Sequence, residues 1–155
     1  MNKTLKVCYA AMIAACYLVL TWICSALGLA SGVIQLRLSE ALNVLCLFEP
    51  AAIFGVSIGC LLSNLLTGCA FWDVIFGTLA TVLGAVGVRL LRKCPVLALF
   101  SPVVTNTLIL PFVFRWVYAT PGALWYFALT VFIGETLSCV AAGFPLYRVL
   151  KKRMK

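Results

Sequence analysis

Histidine is absent from this 155-residue chain, and acids are scarce: four Asp and Glu stand against twelve Lys and Arg. Without imidazole, zinc and haem sites and His-driven proton transfer lose their usual ligand or carrier. The eight cysteines form no C-x-x-C pair and fall mostly inside apolar runs, where they read as small buried hydrophobes. No G-x-x-x-x-G-K-S/T loop occurs, so the chain cannot itself hydrolyse ATP by the P-loop mechanism. No serine or cysteine has a recognisable base partner for nucleophilic catalysis. The sequence therefore implies no metal, no cofactor and no catalytic centre. Charge is thin as well: 10% of residues are charged, against roughly 25% in a soluble domain. The excess of basic residues sits in short clusters between apolar runs rather than in a stripe with interleaved aromatics, which argues against nucleic acid.

What remains is hydrocarbon. Hydrophobic residues make up 65% of the chain and the mean hydropathy is +1.15. A helix needs about 20 apolar residues to cross a bilayer, so this length allows about six crossings with tight loops in a single membrane-embedded domain, residues 1–155. The fold class expected is all-α, a polytopic six-transmembrane-helix bundle. Lys3 and Lys6 before an apolar run resemble the start of a signal peptide, but the run outlasts the usual signal core of about 7 to 15 residues.

Along the chain, the first apolar segment covers about 5–29. Residues 33–40 alternate apolar and polar and predict an extended capping loop. A short helix over about 39–48 ends at Glu49-Pro50, because proline disfavours helical geometry in the residue before it. A third helix covers 51–67. Asp73 is a candidate cap for a fourth over 74–91. A fifth runs from Pro95 to about Phe114 through Pro102 and Pro111, and the sixth from Pro121-Gly122 to about Leu146. Lys3, Lys6, Arg89, Arg92, Lys93 and the basic tail all fall on one side, which predicts cytoplasmic termini, provided that the short second helix also crosses.

In that topology the polar residues gather in the outer half. Gln35, Arg37, Glu40 and Asn43 surround the start of helix two, Asn64 ends helix three, and Asp73 opens helix four. Asn106 lies in the outer part of helix five. Glu135 lies near the middle of helix six, where an ionised acid costs about 2.5 to 3.5 kcal/mol and needs a partner. Helix-bridging amides have no reason to prefer one leaflet, whereas an outward-facing solute pocket does. The other half carries small residues four apart, Ala10 and Ala14, Ala11 and Ala15, Gly55 and Gly59, which permit close helix approach within the bundle or docking of another membrane subunit.

The stretches Ile34-Gln35-Leu36-Arg37-Leu38-Ser39-Glu40-Ala41-Leu42, Gly59-Cys60-Leu61-Leu62-Ser63-Asn64 and Asp73-Val74-Ile75-Phe76-Gly77-Thr78-Leu79-Ala80-Thr81 resemble the QueT family of queuosine-precursor transporters. The similarity extends to Pro102–Asn106 and to the helix with Glu135. The family belongs to the substrate-binding S-components of energy-coupling-factor (ECF) transporters. The resemblance implies a six-helix module in the bacterial plasma membrane that captures a 7-deazaguanine base from outside. It further implies a membrane T-component and two cytoplasmic ATPase subunits as partners, with Ala10, Ala11, Ala14 and Ala15 matching the alanine motif that docks the T-component. A deazaguanine offers a donor edge, a carbonyl and two apolar faces. Glu40 or Glu135 could accept from the edge, Asn64 or Asn106 could give and take hydrogen bonds, and Trp72, Phe71 or Trp116 could stack.

Three other readings compete. An S-component for another vitamin or base would keep the architecture. A stand-alone secondary carrier would use Glu135 and Asp73 as a proton relay, but the chain shows no inverted repeat. A membrane scaffold would leave the outer polar cluster without a purpose.

Overall fold

In the computed structural model, which describes residues 2–29 and 36–153, every element is helical. α1 spans Lys3–Ala26, a 3-10 helix spans Leu38–Leu47, and α2, α3 and α4 span Ala51–Leu66, Phe71–Leu90 and Pro95–Trp116. α5 (Leu124–Glu135) passes through a π-helical segment, Thr136–Ala142, into α6 (Gly143–Arg153), forming one rod of 30 residues. Four rods are long and apolar enough to cross a membrane: α1, α3, α4 and the α5–α6 rod. The chain is a multi-pass membrane protein.

Contacts fix the direction of each rod. Ala10 and Ile13 face Gly55, and Ala14 and Tyr17 face Gly59, so α1 and α2 run parallel. The 3-10 helix runs back between them: Thr21 donates to Ser39 at 2.8 Å, Tyr17 donates to Glu40, and Tyr9 packs on the cluster that holds Cys46. Gly84 faces Pro102, and Asp73 meets Tyr118 just beyond α4, so α3 and α4 are antiparallel. Phe48 stacks on Tyr147 at 5.9 Å, which brings α6 back to the end where α1 begins. The rods therefore alternate in direction, with both termini at one end.

The ten-residue second helix is too short to traverse as an α-helix, and its geometry answers that shortage. A 3-10 helix rises about 2.0 Å per residue against about 1.5 Å, which lengthens ten residues from roughly 15 to 20 Å. Such long 3-10 runs are uncommon, and this one is held by partners. Arg89 of α3 donates to the carbonyls of Leu47 at 3.0 Å and Cys46 at 3.5 Å, satisfying acceptors that the helix end leaves open.

Three boundaries differ from those read off the sequence. The predicted extended loop gives way at Leu38 to the 3-10 helix; residues 30–35 lie outside the described part. α3 starts at Phe71, so Asp73 sits in its first turn and is not its cap, which is Ala70. The last rod continues to Arg153 rather than ending near Leu146. Arg148 lies 4.7 Å from the Phe144 ring and Lys151 5.5 Å from Tyr147, pairs that extend the helix while its basic last turn suits the negative end of the macrodipole.

The outer surface is apolar. Trp22, Phe54, Trp72, Trp116 and Trp125 are each more than half exposed, which no water-facing surface of this size would sustain. All four tryptophans lie at the end away from the termini, the position of an interfacial aromatic belt. Of the cysteines, Cys24, Cys46, Cys60 and Cys139 are buried, whereas Cys8, Cys16 and Cys94 are exposed, which corrects for these three the reading of the cysteines as small buried hydrophobes.

Candidate functional site

Most of the buried polar side chains described inside this apolar bundle gather in one place. Thr21, Ser39, Glu40, Asn43, Asn64, Asp73, Thr81, Asn106, Glu135 and Ser138 are all buried. They come from α1, the 3-10 helix, α2, α3, α4 and the last rod, so each rod contributes to one centre.

Glu40 is the hub. In a 3-10 helix residues i and i+3 eclipse, and Asn43 accordingly donates from Nδ2 to Glu40 Oε2 at 2.6 Å. Tyr17 donates its hydroxyl to Glu40 Oε1 from α1, and Thr81 lies beside the same carboxyl from α3. The Thr81 hydroxyl also reaches Cys60 Sγ at 3.2 Å, to which Asn64 Nδ2 donates at 3.5 Å. Opposite stands Glu135, which receives a hydrogen bond from Cys139 Sγ at 3.4 Å and has Asn106 beside it.

Glu135 ends α5 where the rod turns π-helical. Such a segment widens the helix and is frequent at functional sites. Here it turns Ser138 and Cys139 toward the 3-10 helix: the Arg37 backbone N–H donates to Ser138 Oγ at 3.1 Å, and Cys139 Sγ approaches the Glu40 carbonyl at 3.8 Å. Half-buried Arg37 faces Glu135, Leu110 and Val131 across a cavity of about 10 Å³, room for about one water and not for a two-ring base. Its positive charge acts on Glu40, Glu135 and Asp73 alike. One potential ligand atom each from Glu40, Glu135 and Cys139 lies within 4.8 Å of the others. With the guanidinium already supplying positive charge there, the trio reads as part of a polar network rather than a seat for a dication.

A second pole lies toward the tryptophan-bearing end. Tyr118, on the loop after α4, donates to Asp73 Oδ2 at 2.7 Å and accepts from the Ala70 N–H at 3.1 Å. Burial, then the adjacent Asp73 carboxyl, pushes the Tyr118 phenol up to about 12, so it remains a donor at neutral pH. Asp73 Oδ1 has no partner, and neither does Asn43 Oδ1. Both atoms are buried acceptors that need donors.

Of the residues singled out from the sequence, Arg37, Glu40, Asn43, Asn64, Asn106 and Glu135 come together, with Asp73 at the rim. Gln35 lies outside the described residues. Trp72 does not join the cluster: it is 54% exposed, stacks on Phe76 at 6.0 Å, and lines an apolar groove of about 650 Å³ with Trp116. Sequence reasoning missed Tyr17, Thr81, Ser138, Cys139 and Tyr118. The signal for Tyr17 was a lone hydroxyl in a lipid-length run, since a buried tyrosine needs a hydrogen-bond partner. For the cysteine and serine of the π segment no such signal exists.

The alanines divide into two faces. Ala14 is buried and Ala10 half-buried against α2, where a methyl on Gly59 would fall 3.1 Å from Ala14 Cα and one on Gly55 2.8 Å from the Ala10 carbonyl. Ala11 and Ala15 are exposed. Beside them Lys6, Ala10, Ala11, Pro50, Phe54 and Ile58 line a groove of about 490 Å³ at the end bearing the termini.

A family model described as QueT transporter matches residues 7–152, nearly the whole chain. The chain belongs to the QueT transporter family. It is 38% identical over 81 residues to a protein named Queuosine precursor transporter QueT from Lactococcus lactis subsp. cremoris (strain MG1363), a match that covers 52% of this chain and 47% of that one. The chain thus spans about half the length of the curated relative it matches. No solved structure matches it. Membership in a transporter family agrees with a bundle whose buried polar centre is surrounded by lipid-facing helices.

Proposed function

We propose that this chain is the substrate-binding S-component of an ECF-type importer and captures a queuosine precursor, a 7-deazaguanine base, from outside. The observation that carries the reading is the convergence of every helical rod on one buried polar centre in an otherwise apolar molecule. Helix association needs only scattered polar contacts, whereas a centre with unpartnered acceptors suits a donor-bearing solute. The name of the Lactococcus relative supplies the class of that solute.

All six rods cross the membrane in this reading, and the termini lie in the cytoplasm. Lys3, Lys6, Arg92, Lys93, Arg148 and Lys151 stand at the end bearing the termini, in keeping with the excess of positive charge on cytoplasmic loops. The tryptophan belt then marks the outer interface. Glu40 and Glu135 flank the same point, so the donor edge of the base is held between them, while Asn43 and Asn106 complete its polar contacts. The cavity between Arg37 and Glu135 is by itself too small for a base.

Energy for uptake comes from partners in this reading: a membrane T-component and two cytoplasmic ATPases. The groove lined by Ala11, with Ala15 one helical turn further along α1, is the proposed contact. Reconstituted with those subunits in proteoliposomes, the chain is expected to accumulate a labelled deazaguanine base only when ATP is enclosed with the ATPases. Accumulation by this chain alone, driven by a proton gradient, would replace the S-component reading with a secondary carrier.

A further inference from the structure

We propose that Glu49 anchors a basic residue of the T-component in the groove beside α1, so that a single ion pair fixes the depth at which the partner's helix seats. The inference rests on the assembly reading above and adds one electrostatic contact to it.

Acids are rare enough in this chain for each to need a reason. Of the four, Glu40, Asp73 and Glu135 belong to the buried polar centre or its rim, and the fourth is Glu49, just before α2. It is the one acid at the end bearing the termini, among Lys3, Lys6, Arg92, Lys93, Arg148 and Lys151. Among the described residues it forms no ion pair with any of them. Its side chain is half-buried, and the hydrogen bond it accepts from the Ala51 N–H is long, at 3.4 Å. The dipole of α2 favours an anion at its N-terminus, yet the first turn of that helix holds no acid. The carboxyl instead stands one residue before the Pro50 cap and lines the groove.

Two walls form that groove, with Lys6, Ala10, Ala11 and Ala14 on α1 and Glu49 and Phe54 on the side of α2. From Lys6 to Ala14 the α1 wall runs about 12 Å, or roughly two helical turns. Both charged residues stand at its cytoplasmic mouth on opposite walls, and the rest of the lining is apolar. A neighbouring membrane helix with small residues on one face fits such a surface. Where that helix reaches the cytoplasm it carries Lys or Arg, as the cytoplasmic ends of membrane helices generally do. The apolar stem of that residue lies along the groove while its charge reaches the mouth. There it meets Glu49, partly shielded from water, in a charge-assisted hydrogen bond. Lys6 repels the same cation from the opposite wall, so the two charges favour one placement of the helix over others.

Co-purification of the chain with the T-component and ATPases in detergent tests this. Glu49→Lys sets like charges against each other and is expected to cut the yield of the complex at least about tenfold. Glu49→Gln is nearly isosteric, should unfold at the wild-type temperature, and is expected to lower the yield roughly threefold to tenfold. Raising the ionic strength should weaken the wild-type complex more than the Glu49→Gln complex. Wild-type yield from Glu49→Gln overturns the inference even if Glu49→Lys fails to fold, and so does the same salt dependence in the two complexes. If Ala11→Trp with Ala15→Trp blocks assembly while the Glu49 variants assemble normally, the groove is the contact and Glu49 is not its anchor. If neither change impairs assembly, the docking reading falls, and this inference with it.

Discussion

Replacing Glu40 with alanine is expected to lower the stability of the bundle by about 3 to 5 kcal/mol, the largest effect of any single substitution at the buried centre. The magnitude follows from what the carboxyl holds. Tyr17 and Asn43 donate to it, Thr81 lies beside it, and Arg37 acts on it electrostatically. Each buried donor left without a partner costs about 1 to 3 kcal/mol, and the cavity vacated by the side chain adds to that. Glu40→Gln keeps the shape and one acceptor and should cost less than half as much. Thermal unfolding in detergent would check both. Pairing each variant with Tyr17→Phe should show coupling of about 1 kcal/mol or more, because removing the hydroxyl deletes the donor that alanine would orphan. An alanine variant within about 0.5 kcal/mol of wild type would mean that Glu40 is not the hub of the network.

The second large effect concerns assembly. Ala11→Trp combined with Ala15→Trp is expected to reduce co-purification of the T-component and ATPases by at least about tenfold, because two bulky rings would occupy a surface that needs close backbone approach. The exposed pair is the right choice, since Ala14 is buried against α2 and bulk there would disturb the bundle itself. Base binding at the other end should be unchanged, so capture and uptake come apart. Wild-type co-purification with normal uptake would show that this groove docks nothing.

The sequence made the architecture legible because lipid imposes strong rules. Long apolar runs, the prolines at 50 and 95, and the clustering of lysine and arginine were enough to place α1, α2, α3 and α4 within a few residues. The same physics explains why the polar centre was legible in outline: a carboxylate such as Glu135 inside an apolar run must have a reason to be there. What escaped was local geometry. Nothing in Leu38–Leu47 announces a 3-10 helix, which arises because a segment too short to traverse as an α-helix is stretched and tied at its end by Arg89. Nothing in Thr136–Ala142 announces a π segment, which depends on packing against that 3-10 helix. Asp73 looked like a cap because caps are the commonest use of such a residue, yet its partner is Tyr118, supplied by a loop 45 positions away. Trp72 looked like a stacking platform beside the polar residues, but only the fold reveals that it is exposed and stands apart from their cluster.

The central claim is that the buried polar centre binds a free deazaguanine base. Its most direct test is equilibrium binding to the purified protein in detergent, comparing a 7-deazaguanine base with its phosphorylated nucleoside. Among the described residues the centre holds three carboxyls to one guanidinium and no basic pocket for a phosphate, so the account predicts saturable binding of the free base and none of the phosphorylated form. Equal affinity for the two, or no binding of the base, would contradict it.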